Sequence, residues 1–181
     1  MKLTPLQEKF VLHWGEMGTR WGINRTVAQV HALLFLAERP MNADDLVETL
    51  GVARSNVSTS IRELQGWGIV HSVPVLGERR DHFATTADVW EMFQLILDER
   101  KKREIDPTLA LLRDCVAEAE KSKGEADSTR RRLRELHDMI DHLSRWYTQI
   151  RLLPTGHMIR FVKMGSKVGK VLGLNSGNRS A

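Results

Sequence analysis

Apolar residues recur at spacings of three and four along most of the chain, with one break into strict alternation near residue 70. Thr4-Pro5-Leu6-Gln7 reads as a helix start: Thr as the cap, Pro at the first helical position, Gln three residues after the cap. The helix it opens carries Phe10, Val11, Trp14 and Met17 on one side and runs to about Gly18; Gly15, Gly18 and Gly22 weaken it and leave room for another element. Asn24 caps a second helix with Val27, Val30, Leu33, Leu34 and Ala37, which ends at Arg39-Pro40. Asn42, with Asp45 three residues on, opens a short third helix with Leu46, Val47 and Leu50 inward. After Gly51, Val57, Ile61 and Leu64 return at spacings of four and three and define a fourth helix over Arg54–Gly66. Residues 69–75 then alternate, with β-branched residues that suit a strand; residues 76–81 are polar and turn-like, and residues 82–86 form the return strand.

From Asp88 the helical period resumes. Trp90, Met92, Phe93, Leu95, Ile96 and Leu97 predict a helix to about Arg103, and Asp106-Pro107 starts another that carries Leu109, Leu112 and Val116. Residues 118–132 have almost no large apolar side chain and read as a solvated extension or a hairpin turn. Leu133, Leu136, Ile140, Leu143, Tyr147 and Ile150 then fall at spacings of 3, 4, 3, 4 and 3, a coiled-coil seam closed by Pro154. The seam serves either as a dimer zipper or as an intrachain hairpin on the preceding helix; its spacing does not separate the two. Phe161-Val162 suits a last short helix, and the tail from Gly165, with further glycines at 169, 173 and 177 and with Lys167, Lys170 and Arg179, reads as flexible and basic.

Three helices followed by a hairpin with a basic tip are the order of a winged helix-turn-helix. Gly51 stands where the inter-helical turn needs a positive φ. The predicted fold class is mainly α with a small β-hairpin wing: a winged helix-turn-helix domain over residues 1–105, a helical dimerisation or extension region over 106–164, and a basic tail over 165–181. Charge sharpens this division. The chain carries +4 overall, but residues 1–106 hold 13 basic against 15 acidic side chains, a net of −2, and residues 107–181 hold 14 against 8, a net of +6. A DNA contact in the first half must therefore come from a local patch, doubled in a dimer.

Such a patch is present in the fourth helix. Its polar face carries Arg54, Ser55, Asn56, Ser58, Thr59 and Arg62, short donors and acceptors plus two guanidinium forks, which is the chemistry for base edges and phosphates in a major groove. Ser, Thr and Asn lower helix propensity, so their density here calls for a reason other than helix formation. Asn56 and Arg62 suit base edges; Ser55, Ser58 and Thr59 suit phosphate. At the hairpin tip, Arg79 and Arg80 are placed for the minor groove and backbone.

The strings Arg54-Ser55-Asn56-Val57-Ser58, Ile61-Arg62-Glu63-Leu64-Gln65-Gly66-Trp67-Gly68-Ile69-Val70 and Gly77-Glu78-Arg79-Arg80-Asp81, with Phe83 soon after, resemble the GbsR-type branch of the MarR winged-helix regulators. So does Arg103-Glu104-Ile105-Asp106-Pro107, and the resemblance spans roughly residues 5–125. It implies a homodimeric transcription regulator on double-stranded DNA, with terminal helices pairing the subunits and the wing arginine reaching the minor groove. Some members of this branch are linked to choline or glycine betaine metabolism, which implies a small-molecule effector of that kind. Two positions depart from the pattern: Ala53 stands where a Ser or Asp cap is common, and Glu78 where an Asp is common.

Trp14 and Trp21, seven residues apart, are the candidate ligand-binding residues, since aromatic boxes attract quaternary ammonium ions; as packing residues they have an ordinary role too. Trp67 reads as core and Cys115 as a buried, inert thiol. A lone cysteine forms no intrachain disulfide and fits a reducing cytoplasm, and no segment reaches the ~20 apolar residues of a membrane span. Catalytic patterns are lacking: the glycine-lysine run after Gly165 has neither the spacing nor the Ser/Thr of a phosphate loop, and His137 and His142 are out of phase for a helical metal pair. The chain therefore reads as a regulator with no enzymatic activity, cofactor or metal. A dimer over a promoter blocks polymerase, which favours repression. The competing reading is a winged-helix protein-interaction module with little DNA binding.

Overall fold

A computed structural model describes residues 2–86 and 88–171. The chain divides into two compact units, Met1–Glu99 and Arg100–Ala181.

The first unit contains α1 (Pro5–Arg20), α2 (Arg25–Leu36), β1 (Met41–Asn42), α3 (Ala43–Leu50), α4 (Arg54–Gly66), β2 (Val70–Val73), β3 (His82–Thr85) and α5 (Val89–Arg100). The caps that the sequence suggests are formed. Thr4 Oγ1 accepts from the Gln7 amide at 3.3 Å while Gln7 Oε1 accepts from the Thr4 amide at 3.0 Å. Asn42 and Asp45 build the same reciprocal box at α3, and Asn24 Oδ1 accepts from the Thr26 amide. Gly51 ends α3 at φ 64°, the left-handed conformation that lets α4 turn back across α3. α4 starts at Ala53 with no side-chain cap.

Val27, Val30, Leu33, Leu46, Val57, Leu64 and Ile69 are fully buried and join α2, α3, α4 and the start of β2 in one core. Truncating any of the leucines to Ala costs about 2–5 kcal/mol. α1 closes on α2 through Gly18, where a Cβ would stand 2.5 Å from that of Ala28. The sheet order is β1-β3-β2, antiparallel throughout. β1 was not expected. Two residues are too few to show alternation, and Asn42 serves both as its end and as the α3 cap.

In the second unit, residues 101–105 form a π-helical turn that joins α6 (Asp106–Lys121); α7 (Asp127–Arg151) and α8 (Thr155–Val171) follow. The break expected at Asp106-Pro107 is a widening instead. Pro107 has no N–H and its ring presses on the carbonyl four residues back, and a π turn relieves both without ending the helix. Residues 118–132 are resolved as a hairpin turn: Arg130 Nε donates to the Ala119 carbonyl at 2.9 Å, holding the start of α7 on the end of α6. Buried Leu109, Leu112 and Ala119 of α6 meet the half-buried Leu133, Ile140 and Tyr147 row of α7. Leu136, Met139, Leu143 and Trp146 remain exposed on α7. The expected flexible tail is helical through Val171, so Gly165 does not begin it; its remainder, with Arg179, lies outside the described residues. No proline interrupts residues 155–171, and the lysines at 163, 167 and 170 are good helix formers.

Candidate nucleic-acid interface

α4 and the β2–β3 hairpin flank a groove of about 460 Å³. Five of the eight residues read from the sequence line it: Arg54, Ser58 and Arg62 from α4, Arg79 and Arg80 from the wing. Ser55, Asn56 and Thr59 lie on α4 outside that lining. The buried face of the same helix, Val57, Ser60, Ile61 and Leu64, fixes its rotation against the core, so the polar face is obliged to point outward.

Local bonds orient the arginines. Arg62 Nε donates to the Ser58 carbonyl at 3.4 Å, and Nη2 to Thr59 Oγ1 at 3.5 Å, so the guanidinium lies along α4. Gln65 Nε2 donates to Ser72 Oγ at 3.1 Å and ties the helix to β2. At the wing base, His82 is buried and its Nδ1 meets the Arg80 carbonyl at 3.0 Å, which fixes the backbone beneath the arginine. Gly77 turns the tip at φ 84°.

Asp44 escaped the sequence reading. It stands in the first turn of α3, where an acid suits the helix dipole and needs no further explanation. In the fold, Arg54 Nη1 donates to its Oδ1 and Arg80 Nη1 to its Oδ2, the latter at 3.2 Å. One carboxylate thus joins α4 to the wing. No sequence spacing signals partners ten and thirty-six residues away. Arg79, beside Arg80, makes no ion pair among the described residues. Residues 21–81 match the model of the MarR family. Over that segment the winged helix is similar to the domains of the MarR family.

Two relatives extend the match beyond that segment. The HTH-type transcriptional repressor GbsR of Bacillus subtilis (strain 168) is 20% identical over 154 residues, 81% of this chain and 85% of its own length. A solved structure described as a transcriptional regulator, 19% identical, superposes with a TM-score of 0.63 over 81% of this chain and 96% of that one. The likeness in fold therefore extends beyond the winged helix into the helices that follow it, and both of these proteins are described as transcription regulators.

The candidate ligand residues lie elsewhere in the first unit. Trp14 and Trp21 meet edge to face, centroids 6.1 Å apart, and the void beside them is about 30 Å³. That is close to the share of one water, so the pair does not enclose a trimethylammonium group. The opposite side of Trp14, stacked on Phe10, opens on a void of about 200 Å³ with Phe35, Val89 and Met92. Trp14 Nε1 donates to His31 Nδ1 at 3.3 Å between the two voids. Burial pushes the His31 pKa from 6.5 to about 4.

Proposed function

We propose that the chain is a sequence-specific, DNA-binding transcription regulator that acts as a homodimeric repressor inside the cell. The observation that carries this is the groove in which α4 and the wing converge four arginines. In this reading α4 enters the major groove with Asn56 and Arg62 at base edges, while Arg79 reaches the minor groove. The MarR match and the likeness to a repressor support it. Dimerisation is supported by the exposed Leu136, Met139 and Leu143 on α7, which repeat at heptad spacing. A small effector is part of the proposal. Choline or glycine betaine suits the aromatic wall of Phe10, Trp14 and Phe35 by cation–π attraction, with Trp21 behind Trp14 rather than opposite it.

The test is a mobility-shift titration on the chain's own upstream region and on a scrambled duplex, at two salt concentrations. Preferential binding that falls steeply with salt is expected, because phosphate contacts release counterions. Arg79→Ala should weaken binding and lower the slope of log K against log salt by about one for each phosphate it no longer neutralises. The net −2 of residues 1–106 favours the competing reading, a protein-interaction module. Equal, salt-insensitive binding to both duplexes would select it.

A further inference from the structure

We infer that Asp44 is a specificity-determining residue, acting through Arg54 and Arg80. The inference rests on the DNA-binding reading above and concerns how that surface discriminates between sequences.

The groove is lined by Arg54, Arg62, Arg79 and Arg80 and by two carboxylates, Asp44 and Asp81. Phosphate repels an acid, so a carboxylate at this position lowers affinity for any duplex. Stability accounts for little of it: the helix dipole favours a first-turn acid only weakly at an exposed site. Both ion pairs are more than half exposed, at 52% for Asp44, 57% for Arg54 and 63% for Arg80, and exposed pairs contribute little. The capping box of α3 does not account for it either, because Asn42 and Asp45 complete that box without it. What the carboxylate does is direct two guanidinium groups. Arg54 occupies one oxygen and Arg80 the other.

A guanidinium carries five N–H donors in a rigid plane. One donated to Asp44 leaves four, aimed in fixed directions. An unheld arginine sweeps its long side chain over whatever phosphate lies near and binds every sequence alike. Two arginines held on one carboxylate reach only acceptors at one spacing and orientation, which some duplexes present and most do not. Asp44 therefore gives up indiscriminate affinity and gains discrimination, and it links α4 to the wing, so that one arginine of each is placed by the same carboxylate. Arg62 keeps its place at the base edges through its own bonds to Ser58 and Thr59, and Arg79, which no carboxylate holds among the described residues, adds attraction that does not depend on Asp44.

The test uses the full-length protein and a duplex it selects from a random pool, measured against a scrambled duplex by fluorescence anisotropy at two salt concentrations. Asp44→Asn should bind the scrambled duplex about three- to ten-fold more tightly, with a steeper salt slope, while the selected duplex gains less. The ratio of the two affinities then falls about two- to five-fold. In an Arg54→Ala/Arg80→Ala background the same substitution should leave the ratio unchanged. Asp44→Glu keeps the charge but moves the oxygens; it should lose discrimination without gaining the steeper slope. An unchanged ratio in Asp44→Asn, with a melting temperature equal to wild type, overturns the inference. An equal fall of the ratio in the double-alanine background overturns it too, by showing that the charge acts without the arginines. A wild-type protein that selects no duplex fails the DNA-binding reading itself, and this inference with it.

Discussion

Indole N–H only donates, so the bond from Trp14 makes His31 Nδ1 an acceptor and puts the imidazole proton on Nε2. Among the described residues that Nε2 has no partner, and the side chain is buried. Protonating the ring would break the Trp14 bond and place a cation among aromatic rings. The folded pKa of about 4 lies below the unfolded 6.5, so between these values the unfolded chain binds the proton and the folded chain does not. The stability held above pH 6.5 is lost as pH falls towards 4, by about 3 kcal/mol. His31→Gln keeps an acceptor for Trp14 and does not titrate. Denaturant unfolding at pH 7 and pH 4 should show the wild type losing about 3 kcal/mol relative to this variant; a difference independent of pH rejects the protonation. Single residues were legible where their role is local. Gly51 announced its positive φ, and Asn42 with Asp45 announced a cap, because both act within four residues of themselves. The burial of His31 was not legible, nor was the pairing of Asp44 with two arginines, because each depends on a partner brought close only by the fold.

At the scale of elements, periodicity located α2 to α4 and both wing strands because each buries residues in a shared core, and α1 because it closes on α2. It was ambiguous for α7, where one heptad pattern holds two rows: Leu133, Ile140 and Tyr147, half-buried against α6, and Leu136, Met139 and Leu143, exposed. A spacing of 3 and 4 records that a face is apolar, not what covers it. The start of α4 is the element boundary most open to change. Ala53 already has the extended backbone of a cap, φ −62° and ψ 143°, but no side chain to accept from the first amides. Ala53→Ser adds that acceptor in place and should stabilise the first unit by about 1 kcal/mol, read as a rise of a few degrees in melting temperature. No rise would mean that the orphan amides of α4 are as well satisfied by water. The substitution also tests whether a firmer helix start alters DNA affinity, since Arg54 is the first residue after the cap.

At the scale of the whole molecule, one copy of the winged helix presents one set of arginines on a unit that is otherwise slightly acidic. In the proposed function the attraction for DNA is multiplied rather than spread: a two-fold pair of copies would offer two α4 helices to successive turns of the major groove, about 34–36 Å apart. The apolar row on α7 is where the pairing can be tested without touching the groove. Leu143 is 58% exposed, so replacing it with Glu leaves the core intact and places a charge in the middle of the row. Leu143→Glu is expected to sediment as a monomer at micromolar concentration where the wild type sediments as a dimer, with the same far-ultraviolet circular dichroism and an unfolding midpoint that no longer rises with protein concentration. If DNA affinity resides in the pair, the same variant loses the selected duplex and its salt slope falls to about half, because half of the phosphates are no longer neutralised. A variant that becomes monomeric yet keeps the full slope would place all the phosphate-binding groups on one copy. A variant that stays dimeric would move the pairing surface off this row of α7.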